Sequence, residues 1–134
     1  MPQPEGKVLW DAADAGKLDE VEAAVDAGAP MEWANPEGGS DRWRTAVHVA
    51  SQYGHKDVVA FLGSRGADAN AVDHNSQWTP LHWAAAKGHA SVCTTLLALG
   101  VDPAAKDEDG ETALDSARRE NKPECVAVLE AAMR

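Results

Sequence analysis

The chain has 134 residues, enough for one domain that buries roughly two-thirds of the surface of its unfolded form. Its formal net charge of −10 disfavours nucleic acid as a partner, because phosphates attract lysine and arginine, and it favours partners that are basic at least in patches. The sequence has no apolar run of about 18 residues and no signal-like N-terminus. We therefore expect a soluble protein of the cytoplasm, or of the nucleus, that does not contact a membrane.

Four stretches of the sequence share one pattern of two short helices. In three of them each helix ends at a glycine, and the two glycines lie twelve residues apart. The pairs are Gly16 with Gly28, Gly54 with Gly66, and Gly88 with Gly100. In the fourth stretch Asn121 takes the place of the first glycine, and asparagine is the next-best residue for the left-handed backbone that ends a helix. The pattern predicts four helix-turn-helix units in series.

The helix starts are also marked in the sequence. Thr45, Thr79 and Thr112 precede apolar helices at intervals of 34 and 33 residues, and a threonine hydroxyl can cap the first free amides of a helix. Pro80 follows Thr79 at the one helical position where a missing N–H has no cost. The first unit lacks such a threonine and is the most degenerate copy.

The third unit reads Thr-Pro-Leu-His-Trp-Ala from Thr79 to Ala84, and this motif with a period of 33 to 34 residues resembles the ankyrin repeat. The resemblance implies an all-α solenoid of about four stacked helix-turn-helix units joined by short β-hairpin-like connections. Stacking also follows from the residues, because each helix pair has one apolar face that it cannot bury alone. We expect a stand-alone monomeric domain, residues 1–134, with repeats at roughly 4–36, 37–74, 75–107 and 108–134.

Two features set the first unit apart. Residues 1–36 contain eight acidic and two basic side chains, which suits an end repeat whose outer face has no neighbour. The connection that follows is four residues longer than the next one, and the extra length lies between Asn35 and Asp41. An insertion in a repeat array often lies on the binding face, and neutral drift in an exposed loop explains it equally well.

The histidines and cysteines have structural explanations. The histidines recur at equivalent repeat positions, His48 with His82 and His55 with His89. The ankyrin resemblance implies that the first pair hydrogen-bonds near the turn between repeats, and Trp10 stands at that position in the first unit. Equivalent positions lie about 10 Å apart across packed helices, too far to share a metal ion. Cys93 and Cys125 lack Cys-x-x-Cys spacing and are expected to be small core residues.

No catalytic motif occurs in the sequence: it has no Gly-x-Ser-x-Gly turn, no His-Glu-x-x-His and no phosphate-binding loop. The carboxylates of Asp107, Glu108 and Asp109 lack the ligand spacing of a calcium loop, and we expect them on a solvated turn. The sequence therefore predicts no enzyme activity, no cofactor and no metal site.

The five tryptophans stand against one tyrosine and one phenylalanine. Trp10 and Trp83 fall on first helices, and we expect them to be packing residues. Trp33, Trp43 and Trp78 fall in or beside the connections, and tryptophan is enriched at interfaces because it brings large, rigid area and one N–H. These three rings either contact a partner or cover the base of their own hairpins.

The ankyrin resemblance implies that a partner docks on a concave surface made by the connections and by the ends of the first helices. The residues expected there, the connection tryptophans included, are Trp33, Glu37, Trp43, Arg44, Gln52, Tyr53, His74, Asn75, Trp78, Lys87, Glu108, Asp109, Glu111 and Arg119. The surface is aromatic in the middle and acidic at one end. Such a surface suits a protein partner with a basic patch.

The sequence thus predicts a non-catalytic protein-protein interaction module. The sequence does not distinguish an adaptor from an inhibitor, and it favours inhibition by sequestration because an adaptor would need a second binding face. Within the ankyrin family the chain is also similar to the myotrophin-like group, whose partner is actin-filament capping protein. That likeness rests on Trp10, on Glu37-Gly38-Gly39 in the long connection and on short runs such as Asn70-Ala71.

Overall fold

The computed structural model describes residues 5–37, 43–74 and 76–134, and within them the chain forms helices without a strand. The helices are α1 (Glu5–Ala15), α2 (Leu18–Asp26), α3 (Ala46–Gln52), α4 (Lys56–Ser64), α5 (Pro80–Lys87), α6 (Ala90–Ala98), α7 (Ala113–Arg119) and α8 (Pro123–Ala132). They form four antiparallel pairs in series, which confirms the all-α repeat architecture. None of these helices is long and apolar enough to cross a membrane.

Threonine caps begin α3, α5 and α7, as the sequence predicts. The hydroxyls of Thr45, Thr79 and Thr112 accept the backbone N–H three residues into the helix, and the side chain there reaches back to the threonine amide. This reciprocal capping satisfies two amides that the helix itself leaves without partners. Pro80 is the first helical residue of α5, where no intrahelical donor is lost.

Left-handed residues end the first helices. Gly88 closes α5 with φ 82°, and Asn121, which follows α7, has φ 57°. Asparagine tolerates this conformation better than other residues with a side chain, so the same turn forms in the fourth unit without a glycine. Both predicted helix ends are confirmed.

The helix pairs stack into two rows. The first helices α1, α3, α5 and α7 pack side by side, and so do the second helices α2, α4, α6 and α8. The first helices pack more closely on one another than the second helices do, and many of their buried positions are alanines. The core lies between the rows and is continuous from Leu9 to Leu129. Each repeat therefore depends on its neighbours for burial.

One ladder of hydrogen bonds joins the first helices α1, α3 and α5 to the end of the connection that leads into the next repeat. Trp10 Nε1 donates to the Arg44 carbonyl at 2.8 Å. His48 Nε2 and the Trp78 carbonyl lie 3.1 Å apart, and His82 Nε2 and the Glu111 carbonyl lie 2.9 Å apart. The indole in the first repeat thus does the work of the two later imidazoles, so the predicted equivalence of Trp10 with these histidines is confirmed.

A second ladder runs in the opposite direction along the array. His55 Nε2 lies 3.1 Å from the Asp14 carbonyl, and His89 Nε2 lies 2.9 Å from the Gln52 carbonyl. Each imidazole covers the glycine that ends the preceding first helix, namely Gly16 or Gly54. The structural role expected for the repeated histidines is confirmed. Within the described ranges, no three histidine, cysteine or acidic side chains come together as metal ligands would.

The connections are tight hairpin-like turns. The Asp73 amide donates to the Trp78 carbonyl at 2.9 Å, and the Asp107 amide donates to the Glu111 carbonyl at the same distance. These single bonds match the expectation of at most a short β contact. The middle of the lengthened first connection, residues 38–42, lies outside the described residues.

The two cysteines are buried on α6 and α8, as expected for small core residues. Burial raises the pKa of the Cys93 thiol well above its ordinary value, and burial also raises the pKa of Cys125. A thiol held in its protonated form is a poor nucleophile and a poor metal ligand. Both cysteines therefore serve packing.

Candidate interaction surface

The ends of the first helices supply one part of the predicted interaction surface. Tyr53 follows α3 and is 47% exposed, and Gln52 beside it is half-buried. Lys87 ends α5 and Arg119 ends α7, and both are exposed. Tyr53 and Lys87 occupy equivalent places on successive repeats, and Gln52 and Arg119 occupy the position one residue earlier.

Two aspartates organise the connections beside this row. Asp73 is buried, and its Oδ1 accepts the Ser76 and Trp78 amides at 3.1 and 3.2 Å. Asp107 uses its Oδ1 in the same way to accept the Asp109 and Glu111 amides, both at 2.9 Å. A buried carboxylate that accepts several N–H groups fixes the turn because each oxygen needs its partners.

Asp107 corrects the expectation of a solvated turn. Only 8% of the residue is exposed, whereas Glu108 and Asp109 are exposed as predicted. Burial alone would raise the pKa of Asp107, but hydrogen bonds from Glu111, Trp78 and Asp109 outweigh it and hold the pKa below its ordinary value. The carboxylate is therefore a structural anchor of the turn.

The second oxygen of each aspartate orients a tryptophan. Trp83 Nε1 donates to Asp73 Oδ2 at 2.9 Å, and Trp78 Nε1 donates to Asp107 Oδ2 at 2.8 Å. The two indoles meet edge to face with their centroids 4.6 Å apart, and the Trp78 ring also stacks on His82 at 5.8 Å. Both indoles are half-buried. They form a rigid aromatic centre whose outer part remains accessible.

Arg44 lies beneath this aromatic centre and not on the surface, which corrects its assignment to direct partner contact. The residue is 3% exposed, its guanidinium sits 3.7 Å from the centroid of the Trp83 ring, and its Nε is 3.8 Å from Asp73 Oδ2. Its Nη1 donates to Gln52 Oε1 at 2.6 Å. A buried cation needs an anion and hydrogen bonds around it, and this site provides both. Arg44 therefore supports Trp83 and Gln52 from below.

The other two connection tryptophans differ from each other. Trp33 lies across Gly6 of α1 and packs against the core, which is the alternative in which a ring covers the base of its hairpin. Trp43 is half-buried at a connection tip and stacks on the exposed His74, with centroids 5.6 Å apart and planes 30° apart. Trp43 and His74 are thus brought together on neighbouring connections, whereas the partly buried Trp33 packs against the core.

The remaining predicted residues lie in different connections. Glu111 is half-buried and its carboxylate accepts from Arg119 Nη1, so these two side chains form an ion pair on the surface. Glu37 is exposed in the first connection. Asn75 lies outside the described residues.

An open depression of about 450 Å³ is lined by residues of the second connection, namely Val72, Asp73, His74 and Gln77.

Sequence reasoning did not identify Asp73 as a residue of this surface. The signal that could have found it is the alignment of the connections, because Asp73 and Asp107 precede Thr79 and Thr112 by six and five residues. Two acids at nearly the same distance before a capping threonine indicate a shared turn, and an aspartate side chain readily accepts the amides that follow it.

Comparison with known proteins places the chain in a family. The family model of ankyrin repeats in three copies matches residues 66–132, and the single ankyrin repeat model matches residues 42–74. The chain is 31% identical to a putative palmitoyltransferase ZDHHC13 of Danio rerio over 80% of its length, and 32% identical to a probable E3 ubiquitin-protein ligase XBOS34 of Oryza sativa subsp. japonica over 97%. The ankyrin repeat and KH domain-containing protein mask-1 of Caenorhabditis elegans is 30% identical over 96%. The chain spans 16%, 25% and 5% of these relatives, respectively. With the family models covering three of its four helix pairs, the chain belongs to the ankyrin repeat family.

Proposed function

We propose that this ankyrin array is a non-catalytic module that docks a partner protein on its concave surface. Ankyrin repeats are protein-protein interaction modules, and the proposal adds which face is used and what the partner looks like. The observation that carries it is the Trp78–Trp83 pair, which the buried carboxylates of Asp107 and Asp73 hold rigidly at the middle of that face. We take the array to act as a monomer in the cytoplasm or the nucleus.

A rigid aromatic centre favours binding for two reasons. Half-buried indoles that are already fixed by hydrogen bonds lose little conformational freedom when a partner covers them, so less of the contact energy is spent on ordering. The rim around them is polar, with Gln52, Lys87 and the exposed Tyr53. An aromatic centre with a polar rim is the usual anatomy of a protein interface.

The charge on this surface indicates the partner's chemistry. Glu108 and Asp109 are exposed at one end, and the chain carries a formal net charge of −10. A basic patch on the partner would be drawn to this end over about a Debye length, so the association rate should fall as salt is added. The proposed partner is therefore a protein with lysine or arginine on its docking surface, and not a nucleic acid.

The test begins with the protein as bait. Affinity purification and mass spectrometry identify captured proteins, and titration with the purified partner then gives Kd for the parent and for Tyr53→Ala. We expect Tyr53→Ala to weaken binding by about 2 kcal/mol, roughly 30-fold, without lowering the melting midpoint, because Tyr53 is 47% exposed and lies outside the buried core. Thr94→Ala, an exposed change on α6 of the opposite row, is the matched control. Equal weakening by both variants, or by neither, would contradict docking on the concave face.

Trp78→Ala provides a second arm. We expect a similar loss of affinity, roughly 2 kcal/mol, because the exposed part of its ring lies at the middle of the surface. Trp78 also bonds Asp107, so its melting midpoint must be measured beside its affinity. If the fold is lost and the affinity falls only with it, Trp78 is a core residue and has no direct role in docking.

Inhibition by sequestration is the form of this function that we propose, since a partner held in a concave groove has its docked surface covered. Actin-filament capping protein is the alternative specific partner, and it rests on the sequence likeness at Trp10 and Glu37; Gly38 and Gly39 of that likeness lie outside the described residues. A barbed-end actin assembly assay at low and at physiological salt decides it. Capping that continues undisturbed in excess protein removes this partner and leaves the general module.

A further inference from the structure

The three connections share a backbone feature that their sequences do not share. The residue two places before the capping threonine has a positive φ in each: Trp43 with 63°, Gln77 with 58° and Gly110 with 79°. Glycine adopts this left-handed region at no steric cost, so Gly110 needs no further explanation. Trp43 and Gln77 bring a Cβ close to a carbonyl oxygen in the same conformation, which is unfavourable.

The same turn therefore has glycine in one connection, whereas in the other two it has Trp43 and Gln77, whose positive φ is sterically unfavourable. Nothing in the hydrogen-bonding of the turn requires a side chain at this position, because the third connection forms with Gly110. Strained non-glycine residues cluster at binding and catalytic sites, where the side chain is needed for function. The strain at Trp43 and Gln77 thus indicates that their side chains are used.

Both side chains lie where a partner would meet the connection tips. The half-buried Trp43 ring stacks on the exposed His74 with centroids 5.6 Å apart. Gln77 is exposed and lines the open depression of about 450 Å³ together with His74 and Val72, which is 48% exposed. Gln77 therefore lines a depression of mixed polar and apolar character on the second connection, and Trp43 contacts one of its other lining residues, His74.

Most of the exposed charge at the described tips is acidic. Glu37, Glu108 and Asp109 are exposed, and the Glu108 amide donates to the Ser76 carbonyl, so the third connection lies directly beside the second. Among the described tip residues, 35–37, 43–44, 73–74, 76–78 and 107–111, the one lysine or arginine is Arg44, and it is buried. A cationic side chain would therefore meet an indole face and the carboxylates of Glu108 and Asp109, while the exposed Lys106 lies beside them and Arg119 already pairs with Glu111.

We propose that Trp43 and Gln77 determine the specificity of this surface and that they receive an extended partner segment with an arginine or lysine side chain. The cation packs against the Trp43 indole among the tip carboxylates, and the Gln77 amide, with both donors and an acceptor, bonds the partner's backbone beside it. This inference rests on the proposed function and names the partner's chemistry at the tips.

The strain is tested without any partner by comparing glycine with alanine. Trp43→Gly and Trp43→Ala both remove the ring, and Gln77→Gly and Gln77→Ala both remove the amide, so each pair differs only in its tolerance of positive φ. We expect the glycine variant to melt about 3 °C above the alanine variant at both positions. Lys106, an exposed connection residue outside the positive-φ set, is the control, and there glycine should melt no higher than alanine. Equal melting of glycine and alanine at 43 and 77 overturns the inference.

Recognition is tested on a peptide array in which one set of scaffold sequences carries Arg, Lys, Gln or Glu at a central position. We expect the parent to prefer the Arg and Lys members, and all four variants at 43 and 77 to bind them at least about tenfold more weakly, including those glycine variants that are more stable than their alanine partners. The affinity then stays low whether the variant is the more or the less stable of its pair, which a purely structural role would not produce.

Two results of the peptide array would overturn the proposed recognition of a cationic side chain. One is a parent that binds Gln and Glu members as well as Arg and Lys members, and the other is glycine variants that keep the parent's affinity. Neither result decides the proposed function, because Tyr53→Ala measured against the captured partner tests docking on the first-helix row away from the tips. Loss of binding in Tyr53→Ala with full binding in the variants at 43 and 77 would leave the module and remove the tip specificity.

Discussion

Gly54→Ala is expected to destabilise the fold more than Gly66→Ala, although both glycines have the same kind of backbone. Gly54 has φ 80° and Gly66 has φ 95°, so either substitution places an alanine in the left-handed region. A Cβ added at Gly66 meets nothing within 4 Å, and the cost there is the backbone strain alone, about 1 kcal/mol.

A Cβ added at Gly54 meets the imidazole of His89. It would lie 2.7 Å from Nδ1 and 2.9 Å from Cε1, so the ring must move. The ring is held by the bond between His89 Nε2 and the Gln52 carbonyl at 2.9 Å, and losing such a bond costs about 1 kcal/mol. With the strain, Gly54→Ala should therefore cost about 2 to 3 kcal/mol, or about 1 to 2 kcal/mol more than Gly66→Ala.

Urea unfolding followed by far-UV circular dichroism and by tryptophan fluorescence measures both free energies, and agreement of the two signals checks that unfolding is two-state. In a His89→Ala background the imidazole is absent, so the excess cost of Gly54→Ala should vanish while the strain cost remains. Equal costs for the two alanine variants in the parent, or an excess that persists without His89, would refute the close packing of glycine and imidazole.

Three further predictions concern the stacked repeats. Gly88→Val should cost at least about 1 kcal/mol, because a β-branched residue fits poorly at φ 82°, and an unchanged melting midpoint would speak against this helix end. Trp10→Phe removes the N–H that bonds the Arg44 carbonyl and should lower the free energy of unfolding in urea by about 1 to 2 kcal/mol. An unchanged free energy would mean that water replaces the indole at that carbonyl. Burial lowers the pKa of His48 from 6.5 to about 4, so the unfolded chain binds the proton first as pH falls. The contribution of the neutral His48 to the free energy of unfolding is complete above pH 6.5 and is lost as pH falls towards 4. This free energy should decrease by about 3 kcal/mol in the parent, and His48→Gln should not show the decrease.

The sequence by itself determined the repeat architecture, because the signals for it are local. A threonine cap, a proline at the first helical position and a glycine or asparagine at the end act within one helix, so Thr79, Pro80 and Gly88 mark α5 without reference to other parts of the chain. The fixed period then implies stacking, since each unit repeats an apolar face that must be covered. The place of Trp10 among the histidines followed from the same period.

The tertiary structure alone decided which polar and aromatic residues reach the surface. Arg44 looked like a tip residue, but the Trp83 ring and the Asp73 carboxylate come from the next connection and helix and enclose it. The sequence predicted a solvated Asp107, but in the fold its carboxylate accepts a hydrogen bond from the indole of Trp78, 29 residues away. Burial and hydrogen bonding across repeats depend on distances between residues that are far apart in sequence, and no local pattern encodes those distances. The same holds for the left-handed backbone of Trp43, which the turn imposes on a residue whose own preference is against it.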